Sequence, residues 1–454
     1  MALAAAYRRG EVTPVKALAD CFERIDAVNP RLNALVALRR DAAFADAGRS
    51  AQRFAAGAPL GPLDGIPLAV KDNIPSADLP TTWGSPAGRD HRPAHDELAL
   101  ARARAAGAIV VGKTNVPEFT LEGYTGNPLF GTTRNPWNPA LTPGGSSGGS
   151  VAAVAAGMVP LALGTDGGGS TRRPASHTGL VGFKPSIGAI AREHALPPLL
   201  LDFEVIGPIA RSVADVRLLF DALRGPHPAD RRSRAAASAR PLPDTLRVLY
   251  VPTLDDAPVD AEITASCRAA AQRLQALGHR VDEGPLPLDL GFMTHGWPVI
   301  GQIGLAWLFE RHPAWRDGAS ARYLAMAEAG AALAAPALWQ ILETVEQLRR
   351  EAAVLFGRFD LIVTPAAAAL PWPADEAFPP VIAGQPVGPR GHAIFTGWVN
   401  AAGLPAVALP AAASSAGLPI GVQLIADFGC DQALLELAEC FEAAAPGGWA
   451  WPPL

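Results

Sequence analysis

Two serines set among glycines, and a lysine closing an apolar run, are the residues of this 454-residue chain best suited to covalent chemistry. GGSSGG fills Gly144–Gly149, and GTDGGGSTRRPAS fills Gly164–Ser176. Glycine around serine gives either plain flexibility or bared backbone N–H groups that can hold an anion beside a hydroxyl nucleophile. The intervening residues decide between these readings. Val151–Gly157 is a small-residue helix candidate and Val159–Leu163 an apolar strand candidate, so loop, helix, strand and loop form a built unit. Ser146 and Ser170 are therefore site candidates. Their base is Lys71, at the end of the expected strand Ile66–Val70 in GIPLAVKDN. Apolar surroundings penalise an ammonium and lower its pKa, and a neutral amine can accept a proton near neutral pH. The competing role for Lys71 is an ion pair with Asp72.

Two other motif matches lack the context their chemistry needs. Gly107–Thr114, GAIVVGKT, has the spacing of a P-loop. Its Ala-Ile-Val-Val is itself the strand, however, and Asn115-Val116-Pro117 stands where a phosphate-binding helix should open. Lys113 is expected to be a structural or surface lysine at a strand end. Gly144–Gly148, GGSSG, has the form of a nucleophile elbow, which needs a strand directly before it. Pro136, Pro139 and Pro143 precede it instead, and they cannot lie together in a central strand. The nine histidines are scattered, with His392 the one late enough to draw interest. A Ser-His-Asp triad stays as the runner-up mechanism.

The elements that must position these groups alternate. Thr13-Pro14 reads as a helix start with a helix to Val28, and a second helix covers Asp41–Ala55. Then come Ile66–Val70 (strand), Glu97–Ala106 (helix), Ala108–Val111 (strand), Leu246–Val251 (strand), Ala261–Leu277 (helix) and Leu361–Val363 (strand). Such alternation implies a mainly parallel sheet covered on both faces. The Pro-, Ala- and Arg-rich residues Gly225–Asp244 are the expected linker or excursion.

Composition narrows the classes. About half the residues are apolar, 18% are charged and the net charge is −5, with no basic cluster to bind nucleic acid. Cys21, Cys267, Cys430 and Cys440 show neither CxxC nor metal spacing and read as reduced, mostly buried thiols. Nothing has the length of a membrane span, and the first residues are too short an apolar run for a signal core. A cytoplasmic enzyme is expected.

The segment Pro143–Ser186, PGGSSGGSVAAVAAGMVPLALGTDGGGSTRRPASHTGLVGFKPS, resembles the signature of the amidase signature family. The resemblance extends to DGIPLAVKDN (Asp64–Asn73), GKTNVPEF (Gly112–Phe119), FGTTRNPWN (Phe130–Asn138), GPIARSVAD (Gly207–Asp215), NAAGLPAVALP (Asn400–Pro410) and GLPIGVQLI (Gly417–Ile425). It covers nearly the whole chain and thins between Arg234 and Asp360. It implies one large α/β/α layered domain over residues 1–454 with a mixed, mostly parallel central sheet. Residues 1–60 would form a helical N-terminal layer, 61–215 the signature core, and 216–454 the remaining sheet and pocket walls.

It further implies hydrolysis of a carboxylic amide by a triad of Lys71, Ser146 and Ser170. Ser170 would be the nucleophile and Ser146, after a cis peptide bond, the relay. Gly167, Gly168 and Gly169 would supply the oxyanion hole, and no metal or organic cofactor is implied. Asp166 and Arg172 would be scaffold, and Ser147 and Ser150 helix-capping hydroxyls. A second arginine, Arg173, is unexpected beside Arg172. Projecting towards the acyl side, it could bind an anionic substrate; an ion pair with an acid is the competing role. The expected partner is a small amide, without nucleic acid or membrane, and a homodimer is compatible. A ureide or carbamate hydrolase and the glutaminase subunit of a tRNA-dependent amidotransferase remain open alternatives. The latter's tyrosine-rich segment is missing, with only Tyr250 and Tyr323 after residue 200. A catalytically dead binding protein would need a missing triad residue. Phe292, Met293, Trp297, Ile303, Trp307 and Trp339 are the expected apolar pocket walls.

Overall fold

Strands buried on both faces read as continuous apolar runs, and the sheet of this protein is built from such runs. The computed structural model describes residues 2–236, 239–445 and 450–454. Its main sheet takes β1 (Leu35–Leu38), β2 (Pro67–Lys71), β3 (Ile109–Thr114), β4 (Leu161–Asp166), β5 (Val181–Lys184) and β6 (Val205–Ala210). It continues with β7 (Arg247–Tyr250), β8 (Arg280–Glu283), β9 (Leu361–Pro365), β10 (Ala406–Ala413) and β11 (Pro419–Ile425). Every residue of β2, β3, β4, β5, β6, β9 and β11 is buried.

The spatial order is β1-β3-β2-β4-β6-β5-β10-β11-β9-β7-β8. The sheet is mixed, and its parallel ladders form two blocks, β3-β2-β4 and β9-β7-β8. Between the blocks, from β4 to β9, pairing is antiparallel, as it is at the β1 edge. The mostly parallel order read from the sequence thus holds within the blocks. Its interruption has a physical cause. The strands β4 and β5 run the same way, but β6 enters between them from a helix-free loop and opposes both. Likewise β10 and β11 meet through a short turn at Ser414–Leu418, which can join only antiparallel neighbours.

Side chains alternate across the sheet into separate cores. In β2, Leu68 and Val70 join a cluster that continues through Phe183, Val248, Val363 and Leu424 along one face. Ala69 points oppositely, into a cluster with Phe22, Ile25 and Val111. On that opposite side, beyond the centre, Leu249, Ile362 and Ile425 pack with Trp398 and Val345. Helices therefore cover both faces, giving three layers.

After a short helix at Ala2–Arg9, the long helix α1 (Pro14–Leu32) is capped by Thr13, whose side chain accepts from the Lys16 N–H at 3.1 Å. It runs four residues past the expected Val28. The next helix, α2 (Arg40–Ala55), and the later α3 (Leu98–Ala105) fall within a residue or two of expectation. Residues 225–236 and 239–244 form an excursion carrying a short helix at Arg232–Ala235; the rest of the expected linker, 237–238, lies outside the described residues. No single helix among the described residues is long and apolar enough to cross a membrane. The four cysteines are unpaired; Cys267 and Cys430 are buried, Cys21 partly so, and Cys440 is exposed.

Candidate active site

Lys71 is the last residue of β2 and is fully buried. Its Nζ donates to Ser146 Oγ at 2.9 Å, Thr165 Oγ1 at 2.9 Å and Thr165 O at 3.1 Å. Desolvation pulls its pKa down to about 7, partly opposed by the carboxylates of Glu204 and Asp166. Asp72 is not its partner. That carboxylate lies 3.9 Å from Lys113, which is buried and donates to the Ile74 carbonyl and to Thr81 Oγ1. Lys113 is thus a core residue rather than a surface one, and Ile109–Thr114 is a strand that opens no helix.

The Gly145–Ser146 peptide bond is cis. A Cβ on Gly145 would stand 2.2 Å from the Tyr124 carbonyl oxygen, so glycine is required for the loop to pass there. Beyond it, α4 (Gly148–Ala155) starts without a side-chain cap. Ser147 and Ser150 do not cap. Ser147 Oγ donates to Thr165 O at 3.2 Å, and Ser150 Oγ lies 2.7 Å from Thr114 Oγ1 and 3.3 Å from Leu163 O. Both hydroxyls tie α4 to the sheet instead.

Ser170 sits between β4 and α5 (Arg172–Thr178), and its carbonyl accepts from the Ser147 N–H at 3.1 Å. That bond joins the two serine loops. The Ser170 hydroxyl has no hydrogen-bond partner among the described residues and lines a cleft of about 270 Å³. The three glycines before it differ in what they offer. The Gly169 N–H donates to Asp166 Oδ1 at 2.6 Å, whereas those of Gly167 and Gly168 have no acceptor among the described residues. Gly169 has φ +111°, and a Cβ there would meet Thr396 Oγ1 at 2.1 Å.

Asp166 and Arg172 form a fully buried ion pair at 2.9 Å, and Asp166 also accepts from the Thr171 N–H at 3.0 Å. The Arg172 guanidinium holds the Asp166 carboxyl far below the usual range despite burial. It also donates to Gln423 Oε1 at 2.6 Å and to Asn400 Oδ1, fixing the loop to β11 and to the segment before β10. Asp166→Asn should therefore destabilise the fold by about 3–5 kcal/mol, because it strands a buried guanidinium. Thermal or denaturant unfolding checks this; a loss below about 1 kcal/mol would mean that the pair is dispensable.

Arg173 is buried beside this scaffold but has no carboxylate partner among the described residues. It donates to the Gly168 carbonyl, to Thr396 Oγ1 at 2.9 Å and, at a long 3.4 Å, to the Gly145 carbonyl. It lines the same cleft as Ser170, together with Arg390 and His392. No histidine hydrogen-bonds to Ser146 or Ser170 among the described residues. His177 and His392 are buried with unpartnered ring nitrogens, and burial lowers both pKa values. The Ser-His-Asp alternative has no geometric support.

Of the expected aromatic walls, Trp297 lines the cleft, stacked on Phe203 at 5.4 Å. Trp307 and Trp339 are exposed, so they wall nothing. Leu121, Leu200 and Met326 supply apolar wall in their place. An adjoining cavity of about 610 Å³, which shares Leu121 and Leu200 with the cleft, reaches Asn73 and Glu204 but not Ser170. Asn73 Nδ2 donates to both Thr165 Oγ1 at 3.0 Å and Glu204 Oε2 at 3.3 Å, linking that cavity to the Lys71 cluster. The Glu204 carboxylate is the largest influence holding the Lys71 pKa up. In Glu204→Gln the pH at which Lys71 loses its proton should fall. The acidic limb of the kcat/KM profile should then move to lower pH, and an unmoved limb would disconnect Glu204 from the base.

Comparisons with known proteins place this arrangement. The Amidase family profile matches residues 16–435. The A subunit of a glutamyl-tRNA(Gln) amidotransferase from Synechococcus sp. (strain CC9605) is 36% identical, over 96% of this chain and 94% of its own. Among solved structures, a bacterial aryl acylamidase superposes with TM-score 0.87 at 28% identity, covering 98% of this chain and 95% of that one. A 6-aminohexanoate cyclic dimer hydrolase superposes equally well at 29% identity, covering 100% and 98%. With a profile spanning almost the whole chain and a fold shared with such enzymes, this protein belongs to the amidase signature family and is an amidohydrolase acting on C–N amide bonds.

Proposed function

We propose that the chain hydrolyses a small carboxylic amide to carboxylate plus ammonia or amine, with Ser170 as nucleophile, Ser146 as relay and Lys71 as base. The supporting observation is the 2.9 Å contact of Lys71 with Ser146 where an ammonium is penalised, in a loop bonded to that of the unpartnered Ser170 hydroxyl. Neutral Lys71 takes the Ser146 proton as Ser146 takes that of Ser170. Ser170 Oγ then bonds to the carbonyl carbon. The oxyanion meets the N–H groups of Gly167 and Gly168, which need no reorganisation to receive it. Gly169, whose N–H is committed to Asp166, shapes the loop rather than completing the hole. As the C–N bond breaks, the departing nitrogen receives the proton back through Ser146. Water then adds to the acyl-Ser170 ester by the same relay and releases the acid.

Arg173 is read as a substrate-side residue, since no acid claims it and it lines the cleft. Arg173→Met should raise KM for anionic amides about 10–100-fold more than for neutral ones. Equal losses for both would return it to the scaffold.

The 36% identity to one subunit of an amidotransferase favours a second reading, a glutaminase working with partner chains. Glutamine brings an ammonium that needs an acceptor. Among the described residues the one carboxylate lining the cleft, Glu122, is engaged by Arg322. On this ground we keep the amidase as the first reading. A ureide or carbamate hydrolase would use the same steps. Ammonia release from a panel of amides, ureides and glutamine by the isolated chain separates these. Turnover of small amides without a partner supports the first reading. Activity confined to glutamine, and only with a copurifying second protein, would replace it.

A further inference from the structure

The cleft beyond Ser170 gathers donor atoms that have no acceptor among the described residues. Arg173 is 5% exposed, and its Nε has no partner among the described residues. Arg390 lines the same space with its guanidinium 5.1 Å from the Trp297 ring centroid, and forms no ion pair among the described residues. His392 is 2% exposed, lines the cleft, and has neither ring nitrogen satisfied. Buried polar atoms are ordinarily hydrogen-bonded, and desolvated charges ordinarily paired. Two such groups, beside the half-buried Arg390, imply that the missing acceptor arrives with the ligand.

The charge balance agrees. Among the described residues, Arg173, Arg322 and Arg390 line the cleft against the single carboxylate of Glu122, which Arg322 holds. One guanidinium facing Glu122 is thus accounted for, and two remain. A carboxylate offers lone pairs that match guanidinium forks, with capacity left for a third donor. Ser170 shares the cleft with these donors.

Building on the amidase reading, we propose that the substrate is the monoamide of a short dicarboxylic acid. Its free carboxylate lies between Arg173 and Arg390, with the neutral His392 ring donating a further bond, while the amide carbonyl meets Ser170. On the buried Arg173 side the ion pair is shielded from water, where removing one partner costs most. Neutral amides of equal length would leave both guanidiniums without a carboxylate partner.

The test compares malonate, succinate and glutarate with butyrate by calorimetry, and their monoamides with butyramide by kinetics, on the full chain. At least one diacid should bind about 30-fold or more tighter than butyrate, and its monoamide should exceed butyramide in kcat/KM by about 100-fold. Arg390→Met and Arg173→Met should each shrink that ratio about tenfold or more. Equal use of anionic and neutral amides by the unaltered protein would overturn the clamp while leaving the amidase reading intact. Diacids that bind no better than butyrate would overturn it equally. Diacid binding that depends on Arg390, without hydrolysis of any amide, would uphold the clamp and remove the amidase reading instead.

Discussion

Lys71→Arg should be as inactive as Lys71→Met, each losing about 10³–10⁴ in kcat/KM, although arginine keeps the charge and methionine keeps the bulk. A general base must be able to give up its proton before catalysis, and a guanidinium does not do so. The native lysine does, because burial holds its pKa at about 7. The sign follows directly. Below pH 7 the amine is protonated and cannot accept from Ser146, so kcat/KM should rise through pH 7 and level off above it. Retention of more than a tenth of the activity in either variant would take Lys71 out of the mechanism.

Ser170→Ala should lose roughly 10⁴-fold or more, because no acyl-enzyme can form. Ser146→Ala should lose less, since a water molecule in the space of its hydroxyl can bridge part of the path from Ser170 to Lys71. The order of the two losses is the informative result. If Ser146→Ala proved the more damaging, the nucleophile and the relay would have to be exchanged.

Much of this site is legible in the sequence because its groups are fixed by local rules. Lys71 ends an apolar strand, and the two serine loops flank the expected helix and strand, displaced by two or three residues at each end to Gly148–Ala155 and Leu161–Asp166. Asp166 and Arg172 are six residues apart, so one loop contains the whole ion pair. The sequence is silent where contact depends on distant chain. Arg390 and His392 reach the cleft from a loop between β9 and β10, and no spacing relates them to Ser170. Trp307 and Trp339 failed as pocket walls because an aromatic pattern does not say which helix face is buried. The antiparallel centre of the sheet was hidden for a similar reason: β6 enters between β4 and β5 from a helix-free loop. The capping roles of Ser147 and Ser150 gave way to tertiary bonds with Thr165, Thr114 and Leu163.

The central claim is that Ser170, and not Ser146, attacks the carbonyl. A fluorophosphonate added to the intact protein, followed by digestion and mass spectrometry, reads this out directly. One label per chain on Ser170, lost in Ser170→Ala and slowed in Lys71→Met, is the expected result. Label on Ser146, or undiminished labelling of Ser170→Ala, would contradict it.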